Sequence, residues 1–328
     1  MNTHRQNRWL LCIVAMIAIV ANTGVADETG SWTNLKLWYR QPAREWTEAL
    51  PVGNGRLGAM VFGGVEKDRL QLNEISLWSG SPQDADNPDA LPAMQEIRRL
   101  IFAGKYAEAN AMANRTLICK GKGSGSGGGA HCPYGCYQTL GDLALAFDGL
   151  AGVSDYRREL NLDTAVAAVS FRQGDATFTR EVFSSAVDQV LVVRLTCDQP
   201  GRITLTARLS RPERFATADD GPDGLVMTGQ MDDGCNGTSG IKYVARLRAV
   251  TEGGATSATD GNLRIEGANA VTLLLAAGTD YKLHPPDYRG DDPRETTAVQ
   301  IAKAVTESYR DLRDRHVAAM MAGCLSAG

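Results

Sequence analysis

Two glycine-rich patterns are the first places where this sequence could hold a ligand. One runs from Gly53 to Gly58 and the other from Gly123 to Gly128, and both match the G-x-G-x-x-G spacing of a dinucleotide-binding loop. Such a loop holds a pyrophosphate only when a helix begins directly behind the glycines, because the free N–H groups of its first turn bind the anion. The strand-like segment Ala59–Phe62 follows the first pattern, and Ala130–Pro133 follows the second. We therefore expect no nucleotide site.

The side chains of hydrolytic catalysis are not arranged in a familiar motif. The four histidines, His4, His131, His284 and His316, include no H-E-x-x-H pair, and no serine lies in a G-x-S-x-G turn. Glu74 could act as a general acid, but glycoside hydrolysis needs two carboxyl groups at a defined separation, and the sequence shows no partner for it. The residues alone predict no catalytic site, no bound metal and no cofactor.

The amino terminus has the pattern of a secretory signal peptide. Arg5 and Arg8 precede an uninterrupted apolar run over Trp9–Ala21, and small residues at 24–26 suit a cleavage site. The run is shorter than the ~20 apolar residues that a transmembrane helix needs. We therefore expect residues 1–26 to be removed, and the mature chain to be secreted or periplasmic without a membrane anchor.

The charge of the chain argues against a nucleic-acid partner. Lys and Arg number 34 against 38 Asp and Glu, a formal net charge of −4. A protein that binds a phosphate backbone needs a surface dense in Lys and Arg. The hydrophobic share of 43% is instead typical of a folded globular chain with a substantial core.

Three cysteines flank a local insertion rich in glycine and serine. Cys119 lies before residues 121–129, and Cys132 and Cys136 follow them. In an oxidising compartment, such thiols form disulfides more often than they bind metal. We predict a disulfide clip among the three. A zinc cluster that includes His131 is the alternative.

The chain between residues 140 and 285 has the period-two pattern of antiparallel strands. Ile203, Leu205, Ala207 and Leu209 alternate with polar residues, which places one face on a core and the other in water. Turn-forming residues separate several such runs. We predict a mainly β fold, a large antiparallel β-sandwich with a short helical insertion and a C-terminal linker helix.

Helical patterns occur in two places. Residues 93–112 predict two short helices separated at Gly104. Residues 296–325 predict one longer helix, with Val305, Tyr309, Leu312, His316 and Met320 on a single stripe. Such a stripe needs a partner surface. It either docks onto the sandwich or belongs to a linker that leads into another domain.

Several ordered sequence blocks resemble the N-terminal domain of glycoside hydrolase family 95, which contains α-L-fucosidases and related α-L-galactosidases. The similarity extends over about residues 32–322. The blocks that carry it are Trp46–Ala59, Leu70–Gly80, Tyr137–Leu143, Tyr156–Leu162, Arg180–Ser185 and Ala276–Tyr281.

This resemblance implies that catalysis belongs to a different domain from the β-sandwich. Family members continue from a β-sandwich through a helical linker into an (α/α)6 barrel that carries the inverting acid and base. The resemblance therefore predicts a sandwich over residues 27–292 and a linker helix with a divergent tail over 293–328. It also predicts that this chain lacks the barrel and every catalytic residue of the family.

The resemblance suggests one candidate surface. Loops that face the barrel and border its sugar pocket would include Asn54, Arg56, Asn73, Glu74 and Trp78. The simpler interpretation of the residues around Gly53–Gly58 is a tight turn held by hydrogen bonds.

Two functional hypotheses remain open. The chain is either the non-catalytic N-terminal domain of an exported α-L-fucosidase-like enzyme, or a free-standing carbohydrate-binding or assembly module that pairs with a separate barrel. The expected partners are the barrel and a fucosylated glycan. A surface left uncovered by the barrel, the helix stripe included, predicts self-association.

Overall fold

The computed structural model describes residues 35–82, 84–120, 131–132, 134–235, 237 and 239–326. The predicted signal peptide, residues 1–26, lies outside this range, as does the second glycine pattern. In the described ranges, no helix combines the length and the apolar character that a membrane crossing requires.

Strands dominate the described part of the chain. Their bounds are β1 (Lys36–Tyr39), β2 (Leu50–Gly53), β3 (Leu57–Val61), β4 (Lys67–Glu74), β5 (Gly141–Phe147), β6 (Ser154–Asn161), β7 (Val166–Gln173), β8 (Ala176–Ser185), β9 (Val190–Cys197), β10 (Ile203–Ser210), β11 (Phe215–Asp219), β12 (Gly224–Gln230), β13 (Lys242–Glu252), β14 (Ala255–Thr259), β15 (Asn262–Ala268) and β16 (Ala270–Thr279). The helices are α1 (Ala90–Phe102), α2 (Tyr106–Thr116), α3 (Pro293–Ala304) and α4 (Tyr309–Ser326).

The strands form two antiparallel sheets. The nine-stranded sheet has the order β1-β6-β7-β8-β9-β16-β13-β12-β11, and the seven-stranded sheet has the order β14-β15-β10-β5-β4-β3-β2. Buried residues of both sheets form one hydrophobic cluster between them. The predicted antiparallel β-sandwich is confirmed.

The alternation seen in the sequence of β10 explains which side chains enter this core. Leu205, Ala207 and Leu209 are buried between the sheets, whereas Arg208 is exposed on the outer face. Each fully buried leucine contributes roughly 1.5–3 kcal/mol to stability. Because side chains alternate strictly, a register shift of one residue would move all three leucine and alanine side chains into water.

A buried ion pair also joins the two sheets. Arg180 on β8 donates to the carboxylate of Asp68 on β4, and both side chains are almost fully buried. The same carboxylate accepts hydrogen bonds from the backbone N–H groups of Gly64 (2.9 Å) and Arg69 (2.8 Å). These extra donors offset part of the cost of removing the charges from water.

Helices α1 and α2 form the predicted helical insertion. The chain leaves α1 with Gly104 at a φ of +72°, a conformation that favours glycine. The two helices pack against each other through Ile97, Leu100 and Ala109. The predicted break at Gly104 is confirmed.

The prediction of one helix over residues 296–325 is wrong, because the segment forms two helices. Between α3 and α4, the Ser308 hydroxyl accepts a hydrogen bond from the backbone N–H of Asp311 (3.1 Å) and donates to its carboxylate (2.7 Å). A serine that binds a free N–H group in this way starts a new helix.

Both C-terminal helices dock on the outer face of the nine-stranded sheet. Ile301 and Leu312 pack against Phe183 and Val192 in a second hydrophobic cluster. His316 is 2% exposed, and its ring stacks on Phe183 with the ring centres 4.7 Å apart. The expectation that the helix stripe would be an exposed surface is therefore wrong, since the sheet of the same chain covers its central residues.

Candidate functional site

The turn between β2 and β3 is held by the side chain of Asn54. Its Oδ1 atom accepts hydrogen bonds from the backbone N–H groups of Arg56 (3.0 Å) and Leu57 (2.8 Å). Gly55 sits at the tip with a φ of +87°, which a residue with a Cβ atom adopts only with strain. This geometry matches the tight turn that the sequence predicted for residues 53–58.

Asn54 and Arg56 also attach this turn to the opposite sheet. Asn54 Nδ2 donates to the carbonyl oxygen of Ser185 (3.0 Å). Arg56 donates through Nη1 to the carbonyl oxygen of Ala277 (2.6 Å) and through Nε to Oε1 of Gln189 (2.8 Å). The turn therefore acts as a clamp at one end of the sandwich.

Glu74 completes this clamp at the end of β4. It is 2% exposed, and its Oε1 accepts a hydrogen bond from Nη1 of Arg56 (3.3 Å). Its Oε2 accepts from both the backbone N–H (2.8 Å) and the hydroxyl (2.6 Å) of Ser76, whose oxygen lies 2.6 Å from the hydroxyl oxygen of Thr279. Both carboxylate oxygens of Glu74 are therefore engaged by side chains and backbone of the clamp itself.

Asn73 and Trp78 lie instead on the outside of the same end. Tyr137 joins them, because its hydroxyl donates to Oδ1 of Asn73 and its ring meets the Trp78 indole edge-on, with ring centres 5.6 Å apart at 71°. The Trp78 indole N–H donates to the carbonyl oxygen of Ile75 (3.2 Å), and half of its side chain stays exposed. Burial raises the pKa of Tyr137, so its hydroxyl keeps its proton at neutral pH.

Two open cavities flank this exposed group and share Ile75 as a common wall. One, of about 520 Å³, is lined by Trp46, Arg56, Asn73 and Tyr137 among others. The other, of about 610 Å³, is lined by Trp78 and by residues of the segment after β16. The five candidate residues thus divide into a clamp (Asn54, Arg56 and Glu74) and an exposed pair (Asn73 and Trp78).

Comparison with known proteins decides the family. The protein-family model described as "Glycosyl hydrolase family 65, N-terminal domain" matches residues 37–284 of this chain. The chain belongs to this family. Its match covers both sheets of the sandwich, and the fucosidase-like glycoside hydrolase N-terminal domain that the sequence blocks predicted is confirmed.

Three curated relatives of this N-terminal domain are described as fucosidases. Alpha-L-fucosidase 2 of Arabidopsis thaliana is 33% identical in an alignment that covers 86% of this chain and 35% of the relative. Probable alpha-fucosidase A of Aspergillus niger is 27% identical in an alignment that covers 94% of this chain and 37% of the relative. The protein of the same description from Aspergillus oryzae is 29% identical in an alignment that covers 86% of this chain and 39% of the relative. The chain spans little more than a third of their length.

Three cysteines of this N-terminal domain lie around the ends of its insertion. Cys119 is exposed, Cys136 is half-buried, and Cys132 is buried. The disulfide clip among them stays a prediction. Nδ1 of His131 lies 3.2 Å from Oδ2 of Asp232. In the described ranges, no three or more His, Cys, Asp and Glu side chains are grouped to hold a metal ion.

Sequence reasoning missed several residues of the site. Ser76 and Tyr137 lie in the quoted sequence blocks but were not singled out, although each binds a candidate residue directly. Gln189 offered no signal, and Ala277 lies in a quoted block but contributes only its backbone carbonyl oxygen. Such partners are defined by the pairing of distant strands.

Proposed function

We propose that this chain is the non-catalytic N-terminal domain of an exported α-L-fucosidase-like enzyme of glycoside hydrolase family 95. The complete enzyme would hydrolyse terminal α-L-fucosides or related α-L-galactosides with inversion. The descriptions of three relatives as fucosidases support this activity. Export rests on the signal-peptide pattern of residues 1–26.

The burial and the hydrogen bonds of Glu74 are the main support for a non-catalytic role. An inverting glycosidase needs a protonated acid and a second carboxylate about 6.5–9.5 Å away with a water between them. Glu74 is buried, paired with Arg56 and hydrogen-bonded to Ser76. These contacts occupy both carboxylate oxygens and leave Glu74 no open side towards a substrate.

The same end of the sandwich is the proposed contact with the catalytic barrel. The clamp of Asn54, Arg56 and Glu74 holds the turn between β2 and β3 in one position. Asn73 and Trp78 then stand on a rigid base with their side chains exposed. A rigid, partly apolar surface of this kind suits a contact between domains, and its Trp78 would border the sugar pocket.

The test combines this domain with a separate catalytic region. Residues 27–328 are purified and assayed with an aryl α-L-fucoside, alone and with the remaining part of the Arabidopsis relative expressed as a second polypeptide. We expect no fucose release from the domain alone, and release that depends on both polypeptides when they are mixed. Turnover by the domain alone that is abolished by Glu74→Gln would overturn the proposal.

The alternative, a free-standing carbohydrate-binding or assembly module, is favoured by one observation. Trp78 keeps half of its side chain exposed beside an open cavity, where its ring is free to contact a ligand. Saturable binding of a glycan by the chain, together with no fucose release when the separate catalytic region is added, would support it over the first proposal.

A further inference from the structure

One groove on this domain combines exposed aromatic rings with little charge. We call it the aromatic groove. It has a volume of about 610 Å³ and is lined by Ile75, Trp78, Tyr134, Tyr281, Tyr288 and Arg289 together with three serines. Sites for small molecules are commonly of this size and combine an apolar lining with a few fixed polar groups.

The position of Trp78 in this groove is set before any ligand arrives. Its indole N–H donates to the carbonyl oxygen of Ile75 (3.2 Å), and its ring meets Tyr137 edge-on. Its backbone pairs with that of Tyr137 as an isolated antiparallel bridge. A side chain that is already ordered loses little conformational entropy on binding.

The opposite wall of the groove is a loop that is fixed at its base. Tyr281 and Arg289 pair through their backbones, and the N–H of Gly290 donates to the carbonyl oxygen of Asp280 (2.7 Å). Arg289 donates to the carbonyl oxygen of Ser239, and its Nε lies 3.6 Å from the Asp280 carboxylate. Within the described residues, no hydrogen bond engages the hydroxyl groups of Tyr281 and Tyr288.

The charge of the groove selects the class of ligand. Arg289 is the charged side chain among its lining residues, and Asp280 lies close enough to balance it. The groove therefore offers no unpaired charge that would attract an ionic ligand. The lining suits a neutral molecule with an apolar face and several hydroxyl groups.

We infer that the aromatic groove binds a neutral saccharide, with one pyranose ring stacked on Trp78 and its hydroxyl groups bonded to Tyr281, Tyr288 and Arg289. The choice of a fucosylated sugar as the first ligand to test rests on the proposed function. The existence of the binding site rests on the groove itself.

The experiment measures binding of sugars to residues 27–328 by titration calorimetry and by NMR of the indole N–H groups. The probes are methyl α-L-fucopyranoside, an α-fucosylated trisaccharide and the same sugar without fucose. We expect saturable binding of at least one of them, weakened on the order of tenfold by Trp78→Ala and by Tyr281→Ala. The indole signal of Trp78 is expected to shift on binding.

Trp46→Ala is the matched control. Trp46 is as exposed as Trp78 but lines the neighbouring cavity and not the aromatic groove. Its removal should leave affinity unchanged, and both tryptophan variants should keep the thermal unfolding midpoint of the wild type. Absence of saturable binding with all three sugars, or equal loss in the two tryptophan variants, would overturn the inference.

The outcome separates this inference from the proposed function. If fucose release by the mixed polypeptides is observed while the domain binds no sugar, the aromatic groove is not a saccharide site and the proposed function stands. If the domain binds sugar but never supports a catalytic region, the inference stands and the proposed function fails.

Discussion

Arg56 and Ala277 join the two sheets of the sandwich at 2.6 Å, although 221 positions separate them in the sequence. The donor lies on the turn before β3 and the acceptor carbonyl lies in β16. Glu74 balances the charge of Arg56 at the same point. The glycine-rich turn over residues 53–58 is therefore a structural clamp between the two sheets.

Loss of Arg56 is expected to weaken this clamp. Arg56→Met leaves the buried carboxylate of Glu74 without this donor, which should lower the free energy of unfolding by about 1–3 kcal/mol. Glu74→Gln keeps the hydrogen-bonding shape and should cost less. Urea unfolding monitored by tryptophan fluorescence measures both. Arg98→Met, at an exposed position on α1, is the control and should change stability by no more than about 0.5 kcal/mol. Equal effects of the two arginine variants would contradict the clamp.

The Asp68–Arg180 pair is expected to be far more sensitive to a single substitution than to a double one. Either Asp68→Leu or Arg180→Met leaves an uncompensated charge in the core and should destabilise the fold by about 3–5 kcal/mol. The double variant removes both charges and should be more stable than either single variant. Denaturant unfolding of the four proteins measures this coupling. Simple additivity of the two single effects would show that the pair does not act as a unit.

The stability of the docked helix α4 is expected to depend on pH through His316. Burial lowers the pKa of His316 below its ordinary value of 6.5, Arg313 adds to this, and Asp188 and the backbone of Thr164 and Ala165 oppose it. Below that pH the unfolded chain binds more protons than the folded chain. This contribution is therefore complete above about pH 6.5 and is lost progressively as the pH falls.

His316→Gln isolates this effect, because glutamine does not titrate in this range. Unfolding free energies of both proteins are measured from about pH 7.5 down to about pH 5.5. The wild type should lose stability relative to the variant as the pH falls. A constant difference between them would show that His316 does not titrate differently on unfolding.

Self-association is expected through the exposed apolar end of the sandwich rather than through the helix stripe. Trp46, Ile75 and Trp78 are each at least half exposed there, and a patch of this kind tends to associate. Sedimentation should show a concentration-dependent dimer that Ile75→Asp weakens. Leu91→Asp, at an exposed position on α1, is the control. A clean monomer at high concentration would contradict this prediction.

The sequence by itself determined much of the local structure of this protein, although it missed the break between α3 and α4. The alternation in β10 predicted which of its faces is buried, because side chains in a strand point to opposite sides with a period of two. Gly104 predicted the helix break, and the sequence Asn54-Gly55 predicted a tight turn. These outcomes depend on residues a few positions apart, whose interactions do not require the rest of the fold.

Only the tertiary structure decided what each face meets. The stripe containing Leu312 and His316 is apolar in the sequence, yet the sequence does not say that Phe183 of the same chain covers it. Arg56 lies between strands of the seven-stranded sheet and its acceptor lies in β16 of the nine-stranded sheet, so this contact forms only when the two sheets pack together. Long-range pairing is set by the packing of the whole core, and a backbone carbonyl such as that of Ala277 carries no signature in its side chain.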